Sequence, residues 1–276
     1  MTLRQQAHSF QPAGRADSGR PIRQSRGRAR LTKNVAPGIH RLSHAFVNVY
    51  FIEGDDGITV VDAGLPATWP HLSRAVRALG RSQRDVKALV LTHGHFDHIG
   101  AANQLTSGWG VAAWLHPADD HIASHPYRYR HERSRLLYPL RYPRAVPILF
   151  TMAKAGALAV PPFRAQNHVE IDTVLDVPGR PRIIFTPGHT LGHISLHLPD
   201  RDTVITGDAL VTLDPYNGTR HPQIVSGAAT ADSAQSLASL DELRLTGART
   251  VLPGHGEAWR GGIDAAVTAA LGHGPS

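Results

Sequence analysis

Apolar and polar positions along the chain divide it into short elements. Phe46–Ile52 and Ile58–Asp62 are runs rich in β-branched and aromatic residues, separated by the turn sequence Glu53-Gly54-Asp55-Asp56-Gly57, and they predict a β-hairpin. Thr68–Leu79 places Leu72, Val76 and Leu79 on one helical face and meets a stop signal at Gly80. Val86–Leu91 is a continuous apolar run, the mark of a buried strand. A helix is expected over Ile99–Leu105 and a strand over Val111–Leu115. Further strands are expected at Val169–Leu175, Arg182–Phe185, Ile194–Leu198, Thr203–Thr206 and Thr250–Leu252, with helices near Ala231–Leu245 and over Ile263–Leu271. Residues 116–166 differ in kind. They mix six arginines (128, 130, 133, 135, 141 and 144) with Tyr127, Tyr129, Tyr138 and Tyr142 before an apolar stretch, and read as a mainly helical insertion. Two stacked sheets with helices outside satisfy this order, an α/β (α+β) architecture.

Composition narrows the class. At 41% apolar and 18% charged residues the chain is globular rather than fibrous or wholly disordered. Its most apolar stretch, Ala145–Val160, contains Pro147 and Lys154 and falls short of the roughly 18 residues that span a bilayer. That stretch is expected to roof a cleft, or to pack as a core or homodimer-contact helix. The net charge of +7 lies wholly in residues 1–34, which hold eight Lys or Arg and one acid. Residues 35–276 carry 21 basic and 21 acidic residues and balance to zero. A disordered basic tail over 1–34 and one folded domain over 35–276 are therefore expected. Nucleic-acid contact would be limited to non-specific attraction by the tail. A cytoplasmic protein without membrane contact, acting on a small-molecule substrate, is the expectation.

Cysteine is absent, which excludes disulfides, thiolate metal sites and cysteine nucleophiles, while histidine occurs 18 times. Thr92–Gly100 reads Thr-His-Gly-His-Phe-Asp-His-Ile-Gly, so His93, His95, Asp97 and His98 crowd together just after a buried strand. Three imidazoles and a carboxylate this close call for a shared partner, and a cation such as Zn²⁺ suits the nitrogen and oxygen donors.

Thr92–Gly100 resembles the signature of the metallo-β-lactamase-fold hydrolases. Matches to the remaining motifs follow in order: His189 in Thr-Pro-Gly-His-Thr, Asp208 in Thr-Gly-Asp-Ala and His255 in Pro-Gly-His-Gly-Glu. The resemblance covers about residues 37–260. It implies an αββα sandwich with two divalent ions, Zn²⁺ first and Mn²⁺ or Fe²⁺ as alternatives. His93, His95 and His189 would hold one ion; Asp97, His98 and His255 would hold the other; Asp208 would bridge them. A water shared by the ions and ionised near neutral pH would attack a small ester, thioester or lactone. Asp97 would also orient that nucleophile. Asp62, ending Val-Val-Asp-Ala-Gly, is similar to the family's acid that orients a ligand imidazole; a turn or helix-capping role is the alternative. His193 and His197 are read as packing or supporting residues. His116, His121, His125 and His131 are read as surface or rim groups.

Departures from the subfamilies discriminate among activities. The resemblance disfavours zinc β-lactamases, because two subclasses use a cysteine ligand and the third lacks a bridging aspartate. Flavodiiron proteins carry Glu where this chain has His95. Glyoxalase II adds a C-terminal helical domain, whereas 21 residues follow His255 here. Quorum-quenching lactonases place a tyrosine where this chain has Val211, and Tyr216 or Asn217 could replace it as substrate contacts. A phosphodiesterase using the same site, a mononuclear iron oxidoreductase and a non-catalytic metal-binding protein are the alternatives.

Overall fold

The computed structural model describes residues 28–135 and 138–276. Seven strands form the first sheet in the order of the chain: β1 (Arg30–Ala36), β2 (Ile39–His44), β3 (Val47–Gly54), β4 (Gly57–Val61), β5 (Val86–Val90), β6 (Ala112–Leu115) and β7 (Asn167–His168). The first four pair antiparallel; β4 to β7 run parallel. Helix α1 (Trp69–Ala78) makes the crossover from β4 to β5, and α2 (Phe96–Ile99) follows β5 at once. The insertion carries α3 (Asp120–Ser124), α4 (Tyr138–Arg141) and α5 (Val146–Met152). The second sheet holds β8 (Arg182–Phe185), β9 (Ile194–Leu198), β10 (Thr203–Gly207) and β11 (Thr250–Pro253) in the order β11-β10-β9-β8, with β10 and β11 parallel. Helices α6 (Ser233–Ala238) and α7 (Leu240–Arg244) precede β11, and α8 (Ile263–His273) closes the chain.

Strand side chains alternate between faces, and this period separates three cores. Tyr50, Ile52, Val61, Ala88 and Val90 of the first sheet meet Ile183, Ile194, Leu196, Ile205 and Leu252 of the second. On the outer face, Val49, Phe51, Ile58, Val60 and Leu89 pack against Leu72, Ala75 and Val76 of α1. Val204 and Val251 turn the other way, towards Leu240, Leu243, Ala266 and Val267 of α7 and α8. The layers are therefore helix, sheet, sheet, helix. Burying a large aliphatic or aromatic side chain in such a core is worth about 1.5–3 kcal/mol.

Several expectations change. The boundary placed at residue 34 falls inside β1, whose Leu31 and Thr32 pair with Leu42 and Arg41 of β2. The rest of the basic tail, residues 1–27, lies outside the described residues. Val169–Leu175 is not a strand. Asp172 takes a left-handed φ of 60° and the Thr173 hydroxyl donates back to the Glu170 carbonyl, so the segment turns and leaves Ile171 and Val174 exposed. The helix expected over 231–245 is two short helices meeting at Ser239. In the insertion, Ile148, Met152, Ala155 and Ala157 pack on Val47, Leu65 and Leu213 beside Phe46 and Phe96, which makes the apolar stretch a small core of its own. Among the described residues no helix is long and apolar enough to cross a membrane.

Candidate metal centre

The histidines and acids singled out in the sequence lie just beyond the ends of five strands. Asp62 follows β4, the His93–His98 segment follows β5, His189 follows β8, Asp208 follows β10 and His255 follows β11. All are buried. Asp62 sits at a left-handed φ of 62°, a conformation costly for a residue with a Cβ, and this turns its carboxylate across the end of the sheet. There it accepts the Thr92 backbone N–H at 2.8 Å and the Thr92 hydroxyl at 2.9 Å, and lies 2.8 Å from His98 Nδ1.

Proton counting fixes which nitrogen of His93 and of His255 faces the centre. The Thr92 hydroxyl donates to Asp62, so it accepts from His93 Nδ1 at 2.9 Å and His93 Nε2 turns inward. His255 Nδ1 donates to the Phe46 carbonyl at 2.8 Å, which points its Nε2 at Asp208 and Asp97, 3.1 and 3.3 Å away. His98 Nε2 lies 3.6 Å from Asp208 and 3.8 Å from Asp97. His189 Nε2 is 3.6 Å from Asp208 and 2.9 Å from His95 Nδ1.

Two electrostatic environments result. Burial and neighbouring imidazoles push His93 and His95 well below the usual histidine range, and burial pushes His189 down to about 4. These three rings are neutral, the form that offers a lone pair to a cation. Burial also opposes charge on His98 and His255, but carboxylates outweigh it: Asp208, Asp62 and Asp97 hold His98 well above its usual range, and Asp208 with Asp97 raises His255 to about 10.

The residues fit a divalent metal. Inward atoms His93 Nε2, His98 Nε2 and Asp208 Oδ1 are buried without a hydrogen-bond partner, an expensive arrangement unless something else satisfies them, and His95 presents Nδ1 to His189 Nε2 at the same centre. Donor atoms of His93, His95 and His189 lie within 4.8 Å of one another, as do those of Asp97, His98 and His255, and those of His93, His98 and Asp208. Each group could hold an ion through nitrogen and oxygen donors alone.

Comparison with known proteins agrees with this geometry. The family model of the metallo-beta-lactamase superfamily matches residues 43–255. The chain belongs to that superfamily. A probable metallo-hydrolase of Bacillus subtilis, YflN, is 31% identical over 65% of this chain and 67% of its own length. A second from the same organism, YqgX, is 27% identical over 76% and 84%. Among solved structures, a metallo-beta-lactamase family protein of Thermus thermophilus, TTHA1429, superposes with a TM-score of 0.61 at 24% identity, covering 86% of this chain and 79% of that one. Family and relatives together support a hydrolase enzyme. The two-sheet, helix-flanked architecture is that of the metallo-β-lactamase fold.

His193, read from the sequence as a packing or supporting residue, and others that sequence reasoning passed over hold the metallo-β-lactamase loops in place. Asp119 is buried between two of them. Its Oδ2 accepts from Gly94 N–H at 2.9 Å and from the Thr190 hydroxyl at 2.7 Å, and its Oδ1 accepts from Gly192 N–H at 2.8 Å. Gly192 has to be glycine, because a Cβ there would stand 2.7 Å from Asp119 Oδ1. His193 accepts the Asp208 N–H on Nε2 at 3.0 Å and so donates Nδ1–H to the Thr186 hydroxyl; it supports Asp208 from behind. Asn48 and Tyr50 of β3 donate to the Pro253 carbonyl at 2.8 and 2.7 Å and anchor the His255 loop. The only sequence signal for these is a polar side chain at an otherwise apolar position, as with Asn48 between Val47 and Val49.

Tyr216 is half-buried against Val211, Val225 and Ala229. Its hydroxyl faces that of Tyr129, and burial with this neighbour holds its phenol well above the ordinary range. Asn217, by contrast, is buried in its own loop, where its carbonyl oxygen accepts the Thr219 N–H at 2.8 Å. His116, His121, His125 and His131 lie away from the centre at the surface or its rim, and His197 is half-buried on β9.

Proposed function

We propose that the chain is a dinuclear metal-dependent hydrolase, loaded with Zn²⁺, that cleaves a small ester, thioester or lactone. One observation carries this reading: two three-residue donor groups flank Asp208, whose carboxylate reaches His189 and His98 at 3.6 Å and His255 at 3.1 Å. His93, His95 and His189 would hold one ion, Asp97, His98 and His255 the second, with Asp208 shared. When bound, two such ions lower the pKa of a shared water and polarise a carbonyl.

The chain's own residues supply the remainder. Asp97 accepts a hydrogen bond from the attacking water and orients it. Asp62, through His98 Nδ1, fixes the direction of one ligand lone pair; the Phe46 carbonyl does the same for His255. The neutral phenol of Tyr216 is a hydrogen-bond donor for the substrate carbonyl. A carbonyl substrate also agrees with the zero net charge of residues 35–276, which is poor for binding dominated by phosphates. The arginines of residues 128–144 favour, as a second reading, a phosphodiester substrate at the same site.

The test is hydrolysis of an acyl thioester, a lactone and an activated phosphodiester by zinc- and manganese-loaded protein, each with a chelator control. Chelator-sensitive turnover of the thioester or lactone is expected. Turnover of the phosphodiester alone would replace this reading with the second one.

A further inference from the structure

The arginine-rich part of the insertion has no role in the chemistry above, and its placement is uneven. Residues 128–144 contain six arginines and a single acid, Glu132. Glu132 does not neutralise them, because its two oxygens accept from Ser233 N–H at 2.8 Å and the Ser233 hydroxyl at 2.6 Å. Arg141 lies over the Tyr142 ring at 5.6 Å, and Arg144 backs onto Gly218. Arg135 differs from these in position. Its guanidinium lies 4.5 Å from the centroid of Tyr129, and the Tyr129 ring is itself 4.2 Å from that of His95. A fixed positive charge therefore stands one aromatic ring away from the candidate metal donors, and among the described residues it has no acidic partner.

The surroundings of that charge are those of a binding wall. Tyr129 is 8% exposed, and its hydroxyl is buried without a hydrogen bond of ordinary geometry. The Tyr216 hydroxyl faces it, and both phenols lie close enough to feel the charge of Asp97. Among the described residues the Tyr129 hydroxyl meets only the Tyr216 hydroxyl and the Arg135 guanidinium, and a half-buried cation without an acidic side chain to pair with is poorly compensated. An oxyanion that accepts from the guanidinium fork, with the phenol as a further donor, supplies the missing charge. Stacking on Tyr129 holds the guanidinium in advance, which lowers the entropy lost when an anion docks.

We propose that Arg135, supported by Tyr129, binds an anionic group of the substrate, a carboxylate or a phosphate set off from the carbonyl under attack. This rests on the hydrolase reading above and specifies its substrate class. The anion has two possible sources, an acyl chain ending in carboxylate or a phosphorylated leaving group.

Three substrates separate the sources: p-nitrophenyl acetate as the neutral reference, mono-p-nitrophenyl glutarate with the carboxylate on the acyl side, and acetyl-coenzyme A with phosphates on the leaving group. Arg135→Gln should raise KM for one of the two anionic substrates about tenfold more than for the neutral ester, with kcat changing less, and Arg135→Lys should recover part of the loss. Equal effects on neutral and anionic substrates would overturn the proposal, since a purely structural stack would act on all three alike. Should none of the three be cleaved, the ester and thioester reading fails by itself and the anion site stays open to a separate test. The anion site is then read by calorimetry with glutarate and with inorganic phosphate on wild type and Arg135→Gln. Binding weakened about tenfold supports the site, and equal affinity refutes it. The visible spectrum of cobalt-loaded Arg135→Gln, unchanged from wild type, verifies that the metal donors have kept their arrangement.

Discussion

Asp119 accepts a hydrogen bond of 2.7 Å from the hydroxyl of Thr190, the residue that follows His189, while the same carboxylate oxygen holds the backbone between His93 and His95. One buried acid thus ties together the two loops that supply the neutral imidazoles. Burial pushes its carboxyl up to about 6 against the hydrogen bonds that favour ionisation, so at neutral pH it is the charged acceptor these donors require. Asp119→Ala should weaken zinc binding about 10–100-fold, measured by competition with a chromophoric chelator. Asp119→Asn, which keeps the shape and one acceptor oxygen, should fall between. Unchanged affinity in both variants would show that the loops hold without it.

Tyr216 is proposed to act on the substrate and not on the metal. Tyr216→Phe should lower kcat about fivefold to tenfold, the worth of one hydrogen bond, and leave metal content per chain as in wild type. An unaltered kcat would remove Tyr216 from the chemistry.

Gly254 lies where the His255 loop passes Asp208, and a Cβ at that position would stand 2.1 Å from Asp208 Oδ1. No side chain fits without displacing the carboxylate or the backbone. Gly254→Ala should reduce bound metal and lower stability by about 1–3 kcal/mol in denaturant titration. Full metal content at wild-type stability would contradict the close approach.

His44 provides a pH test outside the metal donors. Burial, with the nearby His71 ring adding to it, lowers His44 to about 4, and its Nδ1 lies 2.9 Å from the Thr68 hydroxyl. An unfolded chain protonates this ring near 6.5 whereas the folded one resists, so between these values the unfolded state binds more protons. The stability involved is present above pH 6.5 and is lost as pH falls towards 4. His44→Gln should therefore gain in melting temperature relative to wild type as pH is lowered from 7.5 to 4.5. A difference that does not vary with pH would remove His44 from the acid response.

How much of this was legible in the sequence depended on whether a signal was local. The β3–β4 hairpin, α1, β8 and β9 could be read closely because period-two or helical patterns with turn residues at their ends specify them. The histidine-rich segment after β5 was equally plain, since its donors are contiguous. β1 and β2 were missed because polar residues interrupt them, Thr32, Lys33 and Asn34 in one and His40, Arg41 and Ser43 in the other, and pairing rather than pattern defines them. Val169–Leu175 misled for the opposite reason, a strand-like pattern of β-branched residues whose turn at Asp172 directs Ile171 and Val174 to solvent. Asp119 and the placement of Tyr129 could not be read, because their meaning comes from contacts with Thr190 and His95, far away along the chain.

The central claim is that seven side chains hold two ions, and metal content tests it most directly. After metal removal, dialysis against excess Zn²⁺ and washing, elemental analysis should give close to two ions per wild-type chain and clearly fewer in Asp208→Ala. A wild-type chain that retains none, or an Asp208→Ala chain that still retains two, would contradict the shared dinuclear site.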